Sequence, residues 1–230
     1  MKKRKALLSI VLAIVMAIST FTGFVPGTCL KVQAEGTTYS PASGYKDYGA
    51  LNSNSTTVQI EGVKIGDTIV DWYVINYNST NQTVTLLSKQ SFARKPFNSD
   101  TSKGHDYASS EIKTYVEGLT GENQPLAGIK DALADISENV EGNPDNISGA
   151  VPYLLSTTEA TELDSTKKGT DTWWLRSPGD YGEDAACVHD RSVGVIGGIV
   201  NIAFAVRPAL QLNLSSVIFS SDTKTFGVGS

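Results

Sequence analysis

The sequence predicts an α+β domain, on three observations. Runs rich in β-branched and aromatic residues open the globular part over 58–87; helical spacing is confined to the middle, 109–136; strand-like runs return over 173–212. Strands, then helices, then strands, with no internal repeat and no linker, point to one domain of segregated elements.

In order along the chain, Lys2, Lys3, Arg4 and Lys5 make a cationic start, and an apolar run follows over 6–18, broken only by Ser9. Val32 and Ala34 occupy the −3 and −1 positions before Glu35, which completes the pattern of a secretory signal peptide over 1–34. The run is too short to span a bilayer, which takes about 20 apolar residues. Residues 35–55, dominated by Gly, Ser, Asn and Tyr, read as a flexible leader. The domain is expected over 56–220, with a C-terminal tail over 221–230.

Inside the domain, Val58, Ile60, Val63 and Ile65 give a first strand with an irregularity at Gly62. Residues 69–77 and 83–87 flank a polar turn at 78–82, so a meander is expected. Ile112, Tyr115, Val116 and Leu119 fall at helical spacing behind Ser109 and Ser110, either of which can cap. A second helix is predicted over 126–136, a short strand over 151–156, and a one- or two-turn helix from Thr157. Strands are then expected over 173–176, 185–189, 193–200 and 202–212, with Gly194, Gly197 and Gly198 marking a bulge or tight hairpin.

Composition excludes several classes. Charged residues make up 19% of the 230, which is too few for a charged disordered chain or a coiled coil. Two cysteines and two histidines cannot build a disulfide scaffold or a thiolate-rich zinc site. Without residues 1–34 the chain has 14 basic and 24 acidic residues, a net charge of −10. That balance disfavours nucleic acid and anionic lipid as partners, both of which need clustered Lys and Arg. Calcium, or a cationic or neutral ligand, fits better.

No nucleophile elbow, zinc-protease helix or phosphate-binding Gly-rich loop occurs. His105 reads as a solvated loop residue, and Cys187, the one cysteine beyond the signal peptide, as a small buried hydrophobe. Two acidic turns, 180–184 and 141–146, offer oxygens to Ca2+ without the EF-hand spacing. In Trp173-Trp174-Leu175-Arg176-Ser177-Pro178-Gly179, Trp174 is either a core residue or a sugar-stacking surface. Arg176 and Arg207, the latter followed by Pro208, are expected as structural latches, buried and bonded to backbone carbonyls or a carboxylate.

The run W-W-L-R-S-P-G at 173–179, A-A-C-V at 185–188, the glycines of 194–198 and A-V-R-P-A-L-Q-L at 205–212 resemble an uncharacterised family of exported, mostly Gram-positive bacterial proteins. Its mark is a W-L-R-S-P-G … V-R-P-A signature, carried here by Trp173, Trp174, Arg176, Pro178, Arg207 and Pro208. That signature is remotely similar to the formylglycine-generating-enzyme type of C-type-lectin-like fold. The resemblance implies that the first and last strands are neighbours, with the segment near 58–65 in a sheet close to 209–219. It also argues against the enzyme's own chemistry, since that enzyme uses a pair of cysteines and only Cys187 remains.

The function expected on these grounds is non-catalytic binding of a surface glycan or protein by a secreted or cell-surface domain. Tyr181, Asp184, Asp190, Arg191 and Asn201, on C-terminal loops, are expected to converge on one binding surface. The alternatives are a glycan or cell-wall hydrolase using Glu183, Asp184 or Asp190, and a structural surface component.

Overall fold

The computed structural model describes residues 39–41, 56–136, 147–195 and 198–228. The expected signal peptide, most of the expected leader, the acidic loop 141–146 and Gly197 lie outside the described residues. Two mostly antiparallel sheets with a few short helices make up the domain, so it is α+β.

The first sheet has seven strands: β1 (Tyr39–Pro41), β2 (Thr57–Ile65), β3 (Thr68–Asn78), β4 (Thr83–Ser88), β10 (Ala209–Asn213), β11 (Val217–Ser220) and β12 (Thr225–Val228). Their order across the sheet is β1-β11-β12-β2-β3-β4-β10. The expected meander is β2-β3-β4, and Gly62, at φ 81°, sits where the β2–β3 register shifts between Gln59 and Lys64. A Gly there accepts a left-handed backbone that a β-branched residue would resist. β12 pairs with β2 in parallel, through Thr225↔Gln59 and Phe226↔Ile60. The C-terminal tail expected from residue 221 is therefore partly a sheet strand, because Phe226 is buried against Phe219 with ring centroids 4.7 Å apart.

The second sheet has five strands: β5 (Ala93–Lys95), β6 (Trp173–Pro178), β7 (Ala185–His189), β8 (Ser192–Gly194) and β9 (Phe204–Val206), ordered β5-β9-β6-β7-β8. The long run expected over 202–212 is two strands, since Arg207-Pro208 breaks it and sends β9 and β10 to different sheets. The strand expected over 193–200 shortens to β8, and Ile199 makes only an isolated bridge with Asp184.

The helix predicted around 112–119 is α1 (Glu111–Gly118), capped by Ser110, whose side chain accepts from Lys113 N. The one from Thr157 is α2 (Thr157–Glu162), with a full capping box between Ser156 and Glu159. A further turn, α3 (Ser165–Lys168), follows directly. The helix predicted over 126–136 is only a 3-10 helix at Ala127–Ala132. Leu133 leaves it to bridge Leu212, and Ala134 N donates to Gln211 O, so sheet pairing wins over helix continuation. Likewise 151–156 contributes an isolated bridge, Tyr153↔Ala209, rather than a strand.

The two faces of the seven-stranded sheet serve two cores. Val84, Leu86, Leu210 and Leu212 join Trp72, Val74 and the 3-10 helix's Ile129 on one face. Leu87 and Ala209 join Trp173, Trp174, Val188 and the α1 residues Ile112 and Val116 in the other.

Candidate functional site

The five-stranded sheet is short, and side chains reaching to distant backbone hold it together. Arg176, fully buried on β6, donates from Nη1 to Leu154 O at 3.0 Å and pairs with Glu159 of α2. Arg207 donates from Nε to Ser88 O at 2.8 Å and from Nη1 to Lys167 O at 2.9 Å, and its guanidinium lies 4.7 Å from the Trp173 ring centroid. Burial pushes the Arg207 guanidinium down to about 10. Both arginines tie several loops to one fixed fork. Pro178 ends β6 and Pro208 begins the step between sheets.

Trp174 is a core residue: it is fully buried, stacks near Phe204 with centroids 4.5 Å apart, and donates Nε1–H to Lys95 O at 2.8 Å. Cys187 is buried, and burial followed by the charge of Asp184 pushes its thiol up, away from the nucleophilic thiolate. His189 bonds from Nδ1 to Thr172 Oγ1 at 2.7 Å.

His105 corrects the expectation of a solvated residue. Its Nδ1 lies 3.0 Å from Tyr181 O and 2.8 Å from Asp184 O. A carbonyl can only accept, so Nδ1 carries the proton and donates to both. The loop around residue 105 thus clamps the turn that presents Tyr181.

Beyond that turn the chain crosses itself closely. Ala185 N donates to Gly198 O at 2.8 Å, Val200 N to Glu183 O at 2.9 Å, and Asp184 N to Tyr181 O at 2.9 Å. A Cβ on residue 198 would lie 2.1 Å from Ala185 O and 3.0 Å from the Trp174 ring, so only glycine fits. These bonds gather Tyr181, Ile199, Asn201 and Ile202 into one loop cluster. Tyr181 is 61% exposed, and Ile199 and Ile202, on the segment bonded to its turn, are exposed as well.

The five sequence-predicted binding residues do not converge. Asp190 and Arg191 form the two-residue turn between β7 and β8, both at positive φ (41° and 67°), as tight hairpin turns require. Asp184 lies at the opposite end of the extended β7, roughly 20 Å away at about 3.3 Å per residue. Asp184 is also only 5% exposed, so it is part of the packing and not a surface ligand. Tyr181 and Asn201 remain together at one end; Asp190 and Arg191, 3.6 Å apart in an exposed ion pair, stand at the other. Ile199, Ile202 and His105 were missed. Exposed isoleucines look like strand core in a sequence, and nothing local connects His105 to carbonyls 76 and 79 residues away.

Among the described residues no group of three or more His, Cys, Asp or Glu side chains could hold a metal ion. Among them, too, no helix is long and apolar enough to cross a membrane. The chain matches no family model, no curated protein and no solved structure.

Proposed function

We propose that the chain is an exported, non-catalytic binding domain of C-type-lectin-like architecture that recognises a surface glycan or protein. The observation that carries the reading is the loop cluster of Tyr181, Ile199, Ile202 and Asn201: three of the five exposed large hydrophobic residues among those described, beside an amide. An exposed ring offers a stacking face, and the neighbouring Asn201 and Glu183 offer directional polar contacts. Support for the architecture comes from β12 lying beside β2, with the expected partner segment 209–219 standing further off: β11 lies one strand beyond β12, and β10 lies beyond β3 and β4 at the sheet edge. The export reading rests on the 1–34 pattern, and the net charge of −10 beyond it favours neutral or cationic ligands.

The hydrolase alternative has weaker support. Asp184 and Asp190 stand roughly 20 Å apart, whereas paired glycosidase carboxylates stand about 5–10 Å apart. Glu183 is exposed while its neighbour Asp184 is buried.

An array of purified glycans and cell-wall preparations, read with and without EDTA, tests the proposal. The parent should capture at least one ligand, and Tyr181→Ala should weaken that capture at least tenfold with unchanged melting. Loss of capture in EDTA would assign calcium to the site. Equal capture by parent and variant would remove the proposed surface.

A further inference from the structure

A cavity apart from the Tyr181 turn lies against the face of the seven-stranded sheet that turns away from the Trp72 core. Thr85 and Gln211 sit between residues that face the Trp72 core, so their own side chains face the opposite way. The registers place them directly across from each other, Gln211↔Thr85, and place Asn76 opposite Thr85 on the next strand. Three adjacent strands, β3, β4 and β10, therefore carry a polar row on a face where Leu87 and Ala209 are core. Over this row lie α2 and α3, and between the layers is a cavity of about 370 Å³. That volume falls in the range of small-molecule sites, roughly 300–1,000 Å³.

Charges in the cavity wall are largely neutralised by their own neighbours. Glu159 pairs with Arg176, and Lys167 pairs with Asp164 at 3.3 Å; Glu162, also in the lining, is exposed to solvent. Two lining atoms are different. The Tyr153 hydroxyl and the Gln211 side-chain oxygen are buried on residues 1% and 3% exposed; neither makes a hydrogen bond of normal geometry within the chain, and the phenol stands beside the Gln211 and Glu159 side chains. Burial, then the nearby Glu159 carboxylate, pushes the Tyr153 phenol well above its ordinary value, so it stays a protonated donor. A buried polar atom without a partner costs on the order of 1–3 kcal/mol, so each such atom asks for a reason.

We propose that this cavity binds a small neutral polyhydroxylated molecule, the size of one sugar ring, through Tyr153 and Gln211. A hydroxyl group both donates and accepts, so one ligand hydroxyl can accept from the phenol while another donates to the amide oxygen. Anions meet no unpaired cation in the wall, and the acidic excess opposes them. The site does not depend on the Tyr181 surface.

The test uses the full chain with glucose, N-acetylglucosamine and ribitol as neutral probes, and acetate and ethanolamine as charged ones, each read by thermal shift and saturation-transfer NMR. At least one neutral probe should bind saturably, and Tyr153→Phe and Gln211→Leu should each weaken it tenfold or more. Tyr181→Ala should leave this binding unchanged. Without probe, Tyr153→Phe should melt no lower than the parent, because the hydroxyl it removes makes no bond of normal geometry to the Gln211 and Glu159 side chains beside it. Binding by none of the neutral probes, binding only of ethanolamine or acetate, equal binding by the variants, or a clear drop in the melting temperature of ligand-free Tyr153→Phe would each overturn the proposal.

Discussion

In the seven-stranded sheet, β2, β3 and β4 run 9, 11 and 6 residues and pair along most of their length. In the five-stranded sheet, β5, β8 and β9 have three residues each, and β6 meets β9 at the single register pair Trp173↔Ala205. Backbone ladders hold the first. The second is held by side chains that cross long sequence separations: Trp174 to Lys95 O, Arg207 to Ser88 O, and His105 to the 181–184 turn. A short ladder fixes few main-chain groups, and every buried carbonyl still needs a donor. Long polar side chains supply those donors, and the loops they fix are free to present Tyr181 outward. The half of the molecule that is weaker as a sheet is thus the half that carries the exposed Tyr181 turn.

The contrast is broken most strongly at Arg176. Arg176→Ala should cost about 3–5 kcal/mol, because Glu159, whose side chain is only 17% exposed, loses its buried partner. In the ladder-held sheet the matching experiment is Lys89→Ala, which removes the 3.7 Å pair with Asp71; these side chains are 48% and 26% exposed, so the cost should be under about 1 kcal/mol. Denaturant melts of the two variants decide the point. Equal losses would mean that the two halves are held in the same way.

A smaller effect is expected at the chain crossing. Gly198→Ala forces a methyl group into the Ala185 carbonyl and the Trp174 ring, and overpacking of this kind costs about 1–3 kcal/mol. Hydrogen exchange should quicken at Ala185 and Val200, whose amides donate across the crossing, and stay unchanged in β2–β4. Uniform quickening over both sheets would show that the halves do not open separately.

Legibility follows the same division. The β2-β3-β4 meander, the Gly62 irregularity and α1 were readable, because alternation, turn residues and helical spacing are local signals. Both signature arginines could be read as latches, since a guanidinium amid apolar strand residues has few other uses. The 3-10 helix at Ala127–Ala132 was misread as a longer helix, because the bridge that ends it, from Leu133 to Leu212, is far from local in sequence. The same reason hid the true neighbours of Tyr181. Asp190 and Arg191 were grouped with it by their order along the chain, yet β7 holds the two turns at opposite ends. The polar row of Asn76, Thr85 and Gln211 left no trace at all, because it appears only when three separate strands are aligned.

The smallest expected effect is an acid one, and it sharpens the comparison by asking which half loosens first. Glu111 at the start of α1 accepts from Lys103, and from Ser99 through both its hydroxyl, at 2.7 Å, and its backbone N–H, at 3.0 Å. These bonds, led by the one from Lys103, hold its carboxyl down at about 2. A folded-state value below the ordinary 4.5 means that the unfolded chain takes up the proton more readily. The contribution is therefore fully present above about pH 4.5 and is lost as the pH falls from there toward 2. Glu111 closes the loop that carries His105, so its protonation should free the clamp on the Tyr181 turn before it disturbs any sheet ladder. A carboxyl titration by carbon-13 NMR should place the Glu111 midpoint near 2, with amide exchange rising over 98–106 and not in β3 or β4. Glu111→Gln should show the faster exchange already at neutral pH and lose its acid dependence. A midpoint near 4.5, or loosening of both sheets together, would place the weakest point of the fold elsewhere.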